Sequence, residues 1–181
     1  SDPATSGFSL FNAAGIVMTF VGIAISKPLA DRFGKRDVFG TSLFLSALCL
    51  FMFYFYSPRA VLAVFGTQML HGFFYGISTP LLWAMIADVA DYSEWKNSRR
   101  ATAIIFSAMI FGLKAGLSIG GSLVAGILAS YGYNEQLAVQ SAETVNGIKL
   151  SLSIYPTLTF FVSVACLFFY EINKKMELRI Q

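Results

Sequence analysis

Between residues 101 and 130 the chain runs for thirty residues with one formal charge, Lys114, set in the string AIIFSAMIFGLKAGLSIGGSLVAGIL. As a helix rising about 1.5 Å per residue, this stretch exceeds the roughly 30 Å of a bilayer's hydrocarbon core. Lys114 lies thirteen residues from one end and sixteen from the other, near mid-depth. An ammonium there costs on the order of 2.5 to 3.5 kcal/mol by insertion scales. It is too deep to snorkel easily to an interface, so it is read as facing a cavity or a partner and carrying function. Gly112, Gly116 and Gly120 recur every fourth residue, and this spacing predicts a face along which a second helix approaches closely.

The rest of the chain has the same character. Of its 181 residues 56% are hydrophobic and only 13% charged, against about 25% charged in a soluble domain. A net charge of +3 invites a nucleic-acid reading, but the basic residues stand between apolar spans and form no single patch, which excludes it. Cys49 and Cys166 both fall inside apolar spans in unrelated contexts, so neither a disulfide framework nor a metal site is indicated. His71 is the only histidine, which leaves no H-E-x-x-H motif and no histidine-based triad within the chain. It reads as a polar group packed between helices.

Five spans follow from the apolar runs, at about residues 8–29, 38–56, 60–87, 101–130 and 148–170. Residues 1–7 lack an initiator Met, a basic leader and a cleavage pattern, and are read as an expression scar or the middle of a longer protein. The first span stops at Pro28 and the charged run ADRFGKRD; the second ends in Tyr54 and Tyr56, which suit a membrane interface. A tight turn is expected over Ser57, Pro58 and Arg59. The third span is longer than a bilayer needs, and Pro80 supplies a cause for a bend, with Gly72 and Gly76 loosening the same region. Residues 131–147 read as a polar connection, and Pro156 lies inside the last span.

Ten basic residues share one side of the membrane: Lys27, Arg32, Lys35 and Arg36 after the first span, Lys96, Arg99 and Arg100 after the third, and Lys174, Lys175 and Arg179 after the fifth. The other side has only Arg59 and Lys149. This asymmetry puts the basic loops and the C-terminus in the cytoplasm and the N-terminus outside. No carboxylate in the spans lies deep enough to pair with Lys114, so its counter-charge is expected on polypeptide outside this chain.

Asp88, Asp91 and Glu94 follow the third span at intervals of three, near one face if the helix continues, with Arg99 and Arg100 just beyond. D-x-x-D-x-x-E at an interface could chelate Mg²⁺ and position a phosphate, as in a membrane phosphotransferase. The string lacks the glycine and the second acidic motif of such enzymes, and its basic neighbours argue against it. A solvated loop that fixes topology and a five-helix assembly subunit are the other readings.

The string ADVADYSEWKNSRRAT, residues 87–102, followed by FGLKAGLSIGG, residues 111–121, resembles the C-terminal half of the glycoside, pentoside and hexuronide cation symporters. These are melibiose-permease-like members of the major facilitator superfamily, and the resemblance extends over nearly the whole chain. The loop LADRFGKR, with Asp31, Arg32, Gly34, Lys35 and Arg36, is similar to the superfamily's D-R-x-G-[KR]-[KR] loop. It departs where the usual leading glycine would be, at Lys27.

The resemblance implies an all-α integral membrane fold: five transmembrane helices corresponding to the eighth through twelfth of a twelve-helix protein, residues 1–181 being its C-terminal bundle. Its function would be secondary active symport of a sugar or glycoside, coupled to Na⁺ or H⁺, in a bacterial inner membrane. The partners would be the substrate, a monovalent cation, the bilayer and the N-terminal half, with no nucleic acid and no soluble cofactor. Lys114 would lie near the sugar and cation sites, holding neighbouring carboxylates ionised until a cation arrives. Thr79 and Trp83 would line the same cavity, Trp83 by sugar stacking or by plain packing. Asp88, Asp91, Glu94, Arg99 and Arg100 would form the cytoplasmic gate. Ile110 is apolar where melibiose permease has a hydroxyl near its sodium site, which leaves the coupling ion open. Lysophospholipid carriers of the same superfamily are the alternative within the transporter class.

Overall fold

Each apolar run becomes a helix long enough to cross a membrane. A computed structural model describes residues 3–57, 60–98, 101–137 and 139–180, and among these all regular structure is helical. Helix α1 spans Pro3–Phe33, α2 Lys35–Phe53, α3 Val61–Asn97 and α4 Thr102–Ser130. The fifth crossing is made of α5 (Ala142–Leu152), α6 (Ile154–Cys166) and a 3₁₀ turn (Leu167–Phe169), and a short helix α7 (Lys174–Ile180) closes the chain.

The first helix begins before residue 8 and passes through Pro28, where the sequence reading stopped it, to end at Phe33 before the positive-φ Gly34; three further boundaries also differ from that reading, each for a local reason. Residues 131–147 are not a connection throughout, because Ser141 caps α5 by accepting a hydrogen bond from the Thr144 amide at 3.1 Å. The second helix ends at Phe53, with Tyr54 in the turn that follows it. The third helix continues ten residues past Ala87 and stops only where Ser98 adopts the left-handed conformation, φ 51°. Asp88, Asp91 and Glu94 are therefore helical. The turn residues Pro58 and Arg59 lie outside the described residues.

Helix α3 passes through Pro80 without interruption. Proline lacks the amide that would bond four residues back, and two hydroxyls work at the neighbouring turn: Ser78 Oγ and Thr79 Oγ1 both donate to the Tyr75 carbonyl, at 2.8 and 3.0 Å. The last crossing does break. Its helix is interrupted at Ser153 (φ −116°, ψ −71°), three residues before Pro156. Thr157 Oγ1 donates to the Ser153 carbonyl at 2.7 Å and lies 3.3 Å from the Ala47 carbonyl, tying α6 to α2.

The core lies between α1, α2 and α3, where Ala30, Val38, Phe39, Leu43, Ile77, Leu81 and Met85 are buried. Lipid tails are as apolar as these side chains, so close packing must hold the helices together. Helices α1 and α3 meet backbone to backbone: a Cβ built on Gly72 would lie 2.3 Å from the Gly15 carbonyl oxygen, and one on Gly76 2.2 Å from that of Thr19. Helix α4 is different. None of its residues is buried, and it packs lightly on α3 and α5. The stripe of Gly112, Gly116 and Gly120, expected to admit a second helix, meets nothing within 4 Å. The close helix contact of this chain uses α1 and α3 instead.

Candidate functional site

At the basic end of the bundle the chain reverses on a single residue. Gly34 joins α1 to α2 with φ +95°, a conformation a side chain would strain, and its amide donates to the Ala30 carbonyl at 2.8 Å. This sharp joint aims the next side chain, Lys35, across the bundle at α3. Its Nζ donates to both oxygens of Asp88, at 2.7 and 2.8 Å, and the two side chains are only 23% and 13% exposed. Two strings that the sequence analysis singled out separately, the D-R-x-G-K-R loop and the acidic triplet, thus meet in one bidentate ion pair.

The other charged residues of the two strings lie on neighbouring turns of α1, α2 and α3. Asp31 and Arg32 are exposed at the C-terminal end of α1, Arg36 is half-buried, and Asp91 and Glu94 are exposed on α3. Arg32 lies over the ring of Phe33, 5.2 Å from its centroid. Arg99 and Arg100 lie outside the described residues.

Sequence reasoning missed two groups that complete this end. Lys174 Nζ donates to the backbone carbonyls of Asp31 and Arg32, and its Cβ packs on Gly34. A cation on the last carbonyls of a helix suits both the hydrogen bonds and the helix dipole. Tyr170 donates its hydroxyl to the Met85 carbonyl at 3.2 Å. The only available signals were an aromatic residue at the end of the last span and a basic tail. Neither names a partner.

In the membrane-spanning part, Lys114 sits on a continuous helix and is exposed. Among the described residues it makes no hydrogen bond or ion pair. At 100° per residue Ser107, Ser118, Gly121 and Ala125 share its face of α4, and so does Ile110, one turn earlier. Small and hydroxyl-bearing residues thus stand above and below the lysine on a face that also carries Ile110. Thr79 and Trp83 stand one turn apart on α3, Trp83 44% exposed. The Thr79 hydroxyl spends its hydrogen on Tyr75. His71 lies between helices, its Nδ1 2.8 Å from Ser46 Oγ and its ring stacked on Tyr75.

Among the described residues no group of three His, Cys, Asp or Glu is arranged to hold a metal ion. What the arrangement offers is a fixed charge at mid-depth on a face this chain leaves uncovered, and a partly buried ion pair that staples two helices at the basic end.

The family described as MFS/sugar transport protein matches residues 2–174. The chain is 33% identical over 157 residues to the inner membrane symporter YicJ of Escherichia coli, covering 86% of this chain and 34% of that protein. It is 30% identical over 159 residues to YagG of the same organism, named as a candidate glycoside/cation symporter, covering 88% of this chain and 35% of that one. It is 26% identical over 188 residues to an E. coli protein named as a candidate 2,3-dihydroxypropane-1-sulfonate exporter, covering 99% and 38%. The chain thus spans little more than a third of the length of these relatives. A family match along nearly its whole length, together with five crossings that are apolar on their outer faces, means that this multi-pass membrane chain belongs to the MFS/sugar transport protein family.

Proposed function

We propose that this chain supplies five helices of a secondary active transporter, corresponding to the eighth through twelfth of a twelve-helix protein, which moves a sugar or glycoside by alternating access. Transport is coupled to Na⁺ or H⁺, in a bacterial inner membrane with the C-terminus in the cytoplasm. The observation that carries the reading is Lys114: an exposed charge at mid-depth, with Ser107 and Ser118 on its side of α4 and no counter-charge among the described residues. Such a group is stabilised by carboxylates on a second bundle, and it keeps them ionised until a cation or proton takes its place. Thr79 and Trp83 on α3 contribute a hydroxyl acceptor and an aromatic face to the substrate cavity. The reading calls for no cofactor and no catalytic site; the pairing of Asp88, the first carboxylate of the D-x-x-D-x-x-E string, with Lys35 favours a gate over a metal-dependent phosphotransferase.

The direction of net flux depends on the gradients, so relatives named as symporters and as exporters are compatible with one mechanism. The test is substrate-driven alkalinisation and uptake by the full-length protein, with and without sodium. Uptake that follows one cation gradient is expected; uptake indifferent to every cation gradient rejects symport. A sugar, and not a lysophospholipid, should compete with the transported substrate.

The cytoplasmic gate is built on the Lys35–Asp88 pair, with Asp91 and Glu94 on the following turns of α3; Arg99 and Arg100, which the sequence assigns to it, lie outside the described residues. An ion pair that is partly solvated is strong enough to hold one state and weak enough to yield. Lys35→Met should destabilise the bundle by about 1–3 kcal/mol, since it leaves a mostly covered carboxylate without a bidentate donor. Thermal unfolding in mild detergent reads this. The exchanged pair Lys35→Asp with Asp88→Lys should recover part of the loss, and no recovery would mean that packing alone sets the cost.

A further inference from the structure

At the basic end, the segment that follows the last crossing runs back across the bundle instead of out into water. Residues 170–173 carry no regular structure, and Tyr170 is extended (φ −82°, ψ 107°). The segment is nonetheless held at three points. Tyr170 packs against the core and donates its hydroxyl to the Met85 carbonyl of α3 at 3.2 Å. Ile172 is 6% exposed. Lys174 donates to the carbonyls of Asp31 and Arg32 in the last turn of α1, and its stem lies over Gly34, where an added Cβ would come 3.3 Å from the Lys174 Cβ.

The register of these anchors gives them a purpose. Met85 stands three residues before Asp88 on α3, and Arg32 three residues before Lys35 across the Gly34 joint. The segment therefore grips the element of each ion-pair partner about one turn away from the pair. Both anchors use backbone carbonyls, so neither competes with Lys35 and Asp88 for a side-chain atom. A cation on the last carbonyls of α1 fixes where that helix ends, and the aim of Lys35 depends on that end because one residue, Gly34, joins the two helices. Glycine is the least restrained joint a chain can have, so a glycine that aims a charge needs bracing from outside. A lysine that only marked the cytoplasmic side would need no fixed acceptor. Lys174 has two.

We propose that Tyr170 and Lys174 are positioning residues: the tail is a strap that holds the α1–α2 joint against α3 and keeps Lys35 seated on Asp88. The strap ties the same elements as the ion pair through different atoms, so when the pair opens its two charges remain neighbours and close again at high effective concentration. Its bearing on transport rests on the reading of that pair as the gate; its bearing on the pair does not.

The test reads the Lys35 amine directly. Acylation by N-hydroxysuccinimide acetate needs the neutral amine, which a bidentate carboxylate disfavours, and peptide mass spectrometry gives the rate at Lys35 for the whole chain in mild detergent. Lys174→Met keeps a stem over Gly34 but loses the charge, and should raise that rate about fivefold, the scale of one partly lost charged hydrogen bond. Tyr170→Phe removes only the hydroxyl and should raise it by a smaller factor. Lys174→Arg still reaches the carbonyls and should match the parent. Cys49, buried in α2, is followed in the same samples with N-ethylmaleimide, and its alkylation should not change. An unchanged rate at Lys35 in both Lys174→Met and Tyr170→Phe overturns the proposal. So does a rise at Lys35 matched by an equal rise at Cys49, which would mean that the tail merely stabilises the bundle. Uptake by the full-length carrier separates the strap from the gate: if Lys174→Met frees Lys35 while both it and Lys35→Met transport like the parent, the strap stands and the gate reading falls.

Discussion

Gly76→Ala should be among the most destabilising single-methyl substitutions in this bundle, with Gly22→Ala and Gly72→Ala on the same seam. A Cβ at Gly76 would sit 2.2 Å from the Thr19 carbonyl oxygen, and one at Gly72 2.3 Å from that of Gly15. Real Cβ atoms do not approach oxygen so closely, and backbone atoms cannot rotate aside as a flexible side chain can. The helices must separate, which also loosens the neighbouring contact at Gly22, where an added Cβ would meet the Phe73 carbonyl at 2.2 Å. Overpacking in a core costs typically about 1–3 kcal/mol, occasionally more, and this site belongs at or above the top of that range. The gain in helix propensity from Gly to Ala returns only about 1 kcal/mol. The two substitutions share a seam, so the double variant should cost less than the sum once the first has parted the helices.

Thermal unfolding in detergent measures this, and the stripe on α4 provides the control. Gly112→Ala and Gly116→Ala add a methyl where nothing lies within 4 Å, so in this chain they should be neutral or slightly stabilising. In the full-length carrier, a loss confined to the α4 substitutions would mean that another helix packs on that stripe. If Gly76→Ala melts within about half a kcal/mol of the parent, the α1–α3 contact is not the one described.

How much of this was legible beforehand differs by element. The five crossings were, because about 20 apolar residues in a row can do little else. Helix ends were less so. The helical turns of α3 beyond Ala87 are polar, and continuation past the apolar run depends on backbone geometry at Ser98 that composition does not encode. The glycines show the deeper limit. Gly72 and Gly76 carry the same four-residue spacing as Gly112, Gly116 and Gly120, and α1 has Gly15 and Gly22 to receive them. The spacing says that a helix can be approached, but which helix arrives is a property of two segments together. The same holds for Lys35 and Asp88, 53 residues apart. Each stood out as a charge in a recognisable string, and only the fold made them a pair. Lys114 was conspicuous from the start, since a charge in thirty otherwise uncharged residues has no local explanation.

That residue gives the second large expected effect, in which function and stability should move in opposite directions. Lys114→Ala in the full-length protein should abolish uphill accumulation, bringing the ratio of inside to outside substrate to about one. If one carboxylate of a second bundle stands about 4 Å from the ammonium, their attraction is on the order of 4 kcal/mol at an effective dielectric of ~20. Losing it changes the proton or cation affinity of that carboxylate by on the order of a hundredfold or more, since each 1.4 kcal/mol is a factor of about ten. The coupling ion would then no longer report on substrate occupancy. Lys114→Arg keeps the charge but replaces a compact ammonium with a planar fork, and should accumulate substrate poorly while still responding to the cation gradient. Membrane insertion should run the other way. Removing a mid-depth ammonium relieves on the order of 2.5 to 3.5 kcal/mol of insertion cost, and Lys114 has no partner among the described residues to leave stranded. In the five-helix chain by itself the Ala variant should therefore insert and melt at least as well as the parent, whereas in the full-length protein it strands the facing carboxylate and gives back part of that gain. A lysine that merely braces the bundle predicts the reverse, lower stability with transport lost only as far as folded protein is lost. Normal accumulation by a correctly inserted Lys114→Ala protein would remove the lysine from the coupling mechanism altogether.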